Sequence, residues 1–188
     1  MFKGSKSAFT LAEVLITLGI IGVVAAMTMP TLLNATQAAR SKTGFKKVMN
    51  VLNQALVVNY ALEDFDAGSA ASQTGETSLY AIFKNRTNVM KTSTEETNNY
   101  TLYFNDGMTF SFPKGAHDCT ETSYKTNSCF GVIDTIGGPS KGPGKLTSVT
   151  TNASRVKSEE IGDTWAVRIV GDKVEPANKA AELTMYNK

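Results

Sequence analysis

Between Phe9 and Leu33 the chain runs for 25 residues with one charged side chain, Glu13. As an α-helix, rising 1.5 Å per residue, that stretch reaches about 37 Å, more than the roughly 30 Å hydrocarbon core of a bilayer. Lys3 and Lys6 on its N-terminal side predict a cytoplasmic N-terminus, with the larger part of the chain across the membrane. A secretory signal peptide is the competing reading, with Thr36-Gln37-Ala38 as a small-residue cleavage site. Its apolar region, however, is about 7 to 15 residues long, and this run exceeds that. A carboxylate inside such a run costs free energy on insertion, so Glu13 reads as functional by default and needs a partner.

Beyond Leu33 the chain of 188 residues has room for one modest domain. With 41% apolar and 19% charged residues the composition is that of a folded chain. The formal charge is +2, which Lys3 and Lys6 supply: without residues 1–8, 17 Lys and Arg face 17 Asp and Glu. No electrostatic nucleic-acid binder is indicated, since those carry a basic face or a high domain charge. Cys119 and Cys129 are the two cysteines, and in an exported domain they read as a disulfide, which for so short a loop contributes roughly 2.5 to 3 kcal/mol. A metal site is the poorer reading, because the spacing is far from C-x-x-C and His117 is the single histidine.

Pro30 has no N–H and clashes with the preceding turn, so it is expected to kink or locally melt the apolar helix. Gly19, Gly22, Ala25 and Ala26 give that helix small surfaces for close packing, or are ordinary membrane-helix composition. Beyond it, Phe45, Val48, Met49, Leu52, Ala55, Leu56 and Leu62 recur at three- and four-residue intervals, an amphipathic continuation that packs on a globular core. Gly44 marks a local weakness in that helix. Ala67 to Gly75 reads as a loop, followed by a short helix with Leu79, Ile82, Phe83, Val89 and Met90 as its apolar positions. The period then changes to two: Tyr100, Leu102, Phe104 and Met108, Phe110, Phe112 form a hairpin with Asp106-Gly107 as its turn. Phe130–Ile136 and Asp163–Val170 give further strands, the second turned by Gly171-Asp172 into Lys173-Val174-Glu175. The run Gly137 to Lys145 is a surface turn rather than a phosphate loop, since the required first glycine is missing and Leu146 stands where Ser or Thr would hold magnesium.

The N-terminus resembles a known family. A basic leader, a small residue, then Phe-Thr-Leu-Ala-Glu before an aliphatic run is similar to the prepilin signal of type IV pilins and type II secretion pseudopilins. The resemblance implies a leader over 1–8, cleavage by prepilin peptidase between Ala8 and Phe9, and N-methylation of Phe9. Ala8 stands where that family most often has glycine. It also implies a transmembrane and assembly helix over 9–33, with Phe9, Glu13 and Pro30 as assembly residues, and a globular pilin-like domain over 34–188. The implied fold is α+β: one long helix, membrane-spanning in its first half and amphipathic in its second, packed on an antiparallel sheet of about four strands. Glu13 would then neutralise the α-amine of Phe9 in a neighbour or in its own chain, an attraction about four times stronger at an effective dielectric of 20 than at that of bulk water.

The function that this implies is a structural, non-enzymatic subunit of a pilus or secretion pseudopilus. Its partners would be copies of itself or related pilins, prepilin peptidase and an inner-membrane assembly platform. It would be a single-pass inner-membrane precursor with its globular domain outside the cytoplasm, later part of a periplasmic pseudopilus or a cell-surface pilus. No cofactor is expected. Major pseudopilins often bind calcium near the C-terminus, and Asp134, Glu159, Glu160 and Asp163 offer oxygens, though solvated surface charge is the simpler reading. Two other classes stay open. One is a membrane-anchored exported ligand-binding protein, such as a minor or DNA-uptake pilin using Lys141, Lys145, Arg155 and Lys157. The other is a carboxylate-dependent enzyme, in a chain without a Ser-His-Asp set.

Overall fold

The computed structural model describes residues 9–64, 68, 78–93, 99–114, 119–121, 129–136, 163–177 and 179–186. The chain divides into two compact units, Met1–Gln37 and Ala38–Lys188. Helix α1 (Leu11–Glu63) begins in the first and ends in the second.

In the first unit the helix is long and apolar enough to cross a membrane, and none of that window is buried. Its hydroxyls do not stand unpaired in apolar surroundings. Thr17 donates to the Glu13 carbonyl at 2.9 Å, Thr28 to that of Val24 at 3.0 Å and Thr31 to that of Thr28 at 2.9 Å. The helix continues through Pro30 rather than ending there. What the proline takes away is one donor, since it has no N–H to offer the carbonyl four residues back.

The second unit holds a six-stranded sheet rather than one of about four. Its strands are β1 (Val89–Ser93), β2 (Asn99–Phe104), β3 (Thr109–Pro113), β4 (Phe130–Asp134), β5 (Thr164–Val170) and β6 (Lys173–Pro176). They pair in sequence order, every pair antiparallel, so each strand follows its neighbour without a crossover. Two short helices complete it, α2 (Leu79–Arg86) and α3 (Lys179–Tyr186). Val89 and Met90, expected on the short helix, lie in β1 instead: Thr87 is extended at the helix C-cap and ends α2 first.

The hairpin between β2 and β3 forms as predicted, but its turn sits one residue earlier. Gly107 N–H donates to the Phe104 carbonyl at 3.0 Å, which makes Asn105 and Asp106 the central residues. Gly107 follows at φ +83°, the left-handed position that glycine takes without strain. At the β5–β6 turn Gly171 alone has positive φ, +57°, the II′ pattern that suits a two-residue hairpin.

One face of the sheet meets the helices. Leu102, Phe104, Phe110, Phe112, Ile133, Trp165, Val167 and Ile169 join Phe45, Val48, Met49, Leu52, Ala55 and Leu56 of α1 and Leu79, Ile82 and Phe83 of α2 in one apolar cluster. Phe83 stands edge-on to Phe110, with ring centroids 5.4 Å apart, and Phe45 stacks on Trp165 at 5.1 Å. Leu62, expected in the same stripe, is exposed instead. Six residues beyond Leu56 is a rotation of about 120° away from the core face at 100° per residue.

Two devices tie α1 to the sheet. Ser41 and Thr135 hydroxyls are 2.7 Å apart, the Trp165 indole N–H donates to Ser41 at 3.1 Å, and Thr135 donates to the Asp163 carbonyl at 2.8 Å. Further along, the Asn53 amide grips the backbone of Val174 at both ends, Nδ2 to the carbonyl at 3.0 Å and Oδ1 from the N–H at 2.8 Å. Gly44 is a close approach between the elements rather than a weak point: a Cβ there would lie 2.8 Å from Met108 Sδ and 3.3 Å from Thr135.

Candidate functional site

Helix α1 starts at Leu11, which makes Thr10 its N-cap and Glu13 its third residue. The two side chains close a reciprocal pair. Glu13 Oε2 accepts from the Thr10 backbone N–H and from the Thr10 hydroxyl, each at 2.9 Å, and the Glu13 N–H donates back to Thr10 Oγ1 at 3.3 Å. This is a capping box: it satisfies two of the donors that a helix N-terminus leaves open and fixes the carboxylate there. A negative group at that end also faces the positive end of the helix dipole.

The Thr-x-x-Glu spacing of Thr10 to Glu13 carried this signal in the sequence, and attention to the charge of Glu13 passes it over. Both side-chain hydrogen bonds fall on Oε2. Among the described residues, Oε1 takes none, so the carboxylate can cap its own helix and still face a cation outside it.

Phe9 is the first described residue and is almost fully exposed, just before the capped turn. Ala8 and the leader lie outside the described residues. The apolar side chains that come after Glu13, including Val14, Ile16, Leu18, Ile20 and Ile21, are exposed as well. Glu13 is therefore the one charge at the head of a long uncovered apolar helix. Gly19 and Gly22 have open space where a Cβ would stand.

Cys119 and Cys129 form the expected disulfide, with Cα atoms 5.6 Å apart and both residues buried. Their carbonyls accept from Gly171 N–H at 2.7 Å and Ile169 N–H at 2.8 Å, which fastens the bridged loop to β5 and its turn.

The two acids weighed for calcium do come close in the fold, because Asp134 pairs with Thr164, the neighbour of Asp163. Both are engaged locally. Asp134 is buried and accepts from the Ile136 N–H at 3.0 Å, while the Asp163 carboxylate takes the Thr164 hydroxyl at 3.3 Å. Among the described residues no group of three or more His, Cys, Asp or Glu side chains is placed to hold a metal ion. Glu159 and Glu160, the basic set Lys141, Lys145, Arg155 and Lys157, and the Gly137–Lys145 run lie outside the described residues.

Residues 3–29 match the family model of the prokaryotic N-terminal methylation motif, the prepilin-type signal of type IV pilins and pseudopilins. The signal supports an exported protein of pilin or pseudopilin type and implies processing by prepilin peptidase and assembly into pilin polymers. With the apolar helix it is compatible with an inner-membrane-anchored precursor. No curated protein and no solved structure matches the chain.

Proposed function

We propose that this chain is a structural, non-enzymatic subunit of a type IV pilus or type II secretion pseudopilus, cut between Ala8 and Phe9 and polymerised through its N-terminal helix. The observation that carries the reading is Glu13, a single carboxylate held by Thr10 at the head of an uncovered apolar helix. Cleavage frees a positive α-amine on Phe9, and methylation leaves that nitrogen protonatable. An amine from an adjacent subunit is neutralised by Oε1 while Oε2 keeps the cap.

Water is excluded where apolar helices bundle, so the attraction is strongest there and a mismatched register leaves both charges unpaired. Glu13 thus sets register, and the apolar surface supplies the contact. The helix missing one hydrogen bond at Pro30 gives the same segment some compliance on passing from bilayer to filament. The reading calls for no cofactor or calcium, and for partners that are copies of this chain or related pilins, with an inner-membrane assembly platform.

Mass spectrometry of the intact chain and its N-terminal peptide, purified from native membranes, tests this reading. A mature chain beginning at N-methylated Phe9 supports it. A chain beginning at Met1, or after Ala38, refutes it.

A further inference from the structure

The amphipathic logic of α1 inverts near its end. From Phe45 to Leu56 the core-facing residues are apolar and buried. Over the last two turns the buried residue is polar, Asn59 at 5% exposure. The large apolar ones are out: Val57 at 62%, Val58 at 39%, Tyr60 at 52% and Leu62 at 64%. At 100° per residue these four cover an arc of about 200°, so they form a collar rather than a stripe. Among the described residues of Ala38–Lys188, the other exposed large apolar side chains are Met90, Ile136, Leu183 and Tyr186. Half of that exposed set therefore falls within six residues of one helix. A monomeric soluble surface rarely gathers apolar groups this way without an occupant.

We propose that this collar is a subunit contact, covered by a second copy of this chain, an inference that rests on the filament reading above. Three features favour that occupant. The collar is carried by the same helix whose first half the filament reading commits to subunit contacts, so it continues that interface. Its arc is too wide for one flat partner. In an open helical assembly, built from heterologous contacts, each subunit meets neighbours on more than one side. Finally, its flanking charges are acidic: Glu63, which is held by Arg86 at 2.8 Å, and Asp64. A membrane-surface helix carries lysines and arginines beside its apolar face, and this collar does not.

The test uses the full-length chain in its native host. Val58→Asp and Leu62→Asp place a charge on exposed positions, so insertion, N-terminal processing and the Cys119–Cys129 disulfide are expected to match wild type, while polymer recovered by shearing or from the periplasm falls at least tenfold. Val57→Cys and Leu62→Cys each add one free thiol to a chain whose described cysteines are paired with each other. Oxidative crosslinking of polymer carrying both is expected to give dimers and a ladder of higher species. Wild-type polymer yield from both Asp variants, with no ladder from the cysteine variant, overturns the proposal and leaves the filament reading standing. Labelling of the collar by a lipid-soluble photoprobe in place of subunit crosslinks overturns it in favour of a membrane contact. Absence of polymer from the wild-type chain sinks the filament reading and this inference with it.

Discussion

Replacing Asn53 by Leu removes a side chain that reaches from α1 to the backbone of β6 by hydrogen bonds at both ends. Val174 sits on the last strand of the sheet, with Ile169 as its partner on one side and Asn53 on the other. The amide thus acts as a short stretch of false strand. Val174 is 3% exposed, so its freed N–H and carbonyl would have little water to turn to. Two net hydrogen bonds are worth about 1 to 3 kcal/mol, and stranding buried groups pushes the loss toward the upper end. Leu adds apolar contact, which offsets part, so the expected destabilisation is about 2 kcal/mol. For a unit of this size that is a fall in Tm of about 4 to 8 °C. Trp165, the single tryptophan, is buried against Phe45 and bonded to Ser41, so its fluorescence reports the loss of the helix–sheet contact in detergent-purified full-length protein. Asn53→Asp is the control: it keeps an acceptor for the Val174 N–H but puts a carboxylate against the Val174 carbonyl, and should be no better. A Tm within 1 °C of wild type for Asn53→Leu would refute the reasoning.

Glu13→Gln separates two roles, because glutamine at the third helical position still closes a capping box but cannot neutralise an amine. The precursor should insert and be processed as in wild type yet assemble poorly, whereas Thr10→Ala, which loses the cap and keeps the charge, should assemble better than Glu13→Gln; normal polymer from Glu13→Gln would reduce Glu13 to a cap. Gly131→Ala should cost about 1 to 3 kcal/mol in thermal unfolding, because the added Cβ would stand 2.5 Å from the Phe110 ring, itself packed on Phe83 and Phe112. An unchanged Tm would show that the ring can step aside. Replacing Cys119 and Cys129 together by Ala should cost about 2 to 4 kcal/mol and lower the steady-state amount of the chain in membranes, read by immunoblot; full accumulation and an unshifted Tm would show the bridge to be dispensable.

How far the sequence could be read depended on whether a residue's surroundings are local. The apolar span, the amphipathic run from Phe45 to Leu56 and the hairpin across Asn105-Asp106-Gly107 all announce themselves within a dozen residues, and each stands in the fold. β1 did not, because Val-Met-Lys-Thr-Ser has no clean alternation, and it is a strand by virtue of pairing with β2 across a register shift between Val89 and Lys91. α3 was missed for the same reason: its eight residues hold place through Ala181 in the core cluster rather than through any strong local signal. The central strands were only half legible. Thr101, Thr109 and Ser111 read as solvent-facing partners of Leu102 and Phe110, yet they are buried too, with Thr101 and Ser111 hydroxyls 2.9 Å apart.

Glycine and glutamate show the same limit from the side of function. Gly44 predicts a soft helix if only its own backbone is considered. Its use lies in what is missing from it, since Met108 and Thr135 occupy the space of its side chain. A residue chosen for a neighbour far along the chain leaves no local trace. Glu13 is the opposite case, where both roles are local and legible, the cap in the Thr-x-x-Glu spacing and the charge in its isolation within an apolar run. The two roles are compatible because a carboxylate has two oxygens: one cap bond and one hydroxyl bond on Oε2 hold the group at the helix head, and the other oxygen is aimed without further ordering cost. A lone aspartate or serine at the cap could close the helix but would not present a second oxygen from the third position. The need to do both is a physical reason for glutamate at that place, in a helix that otherwise excludes charge.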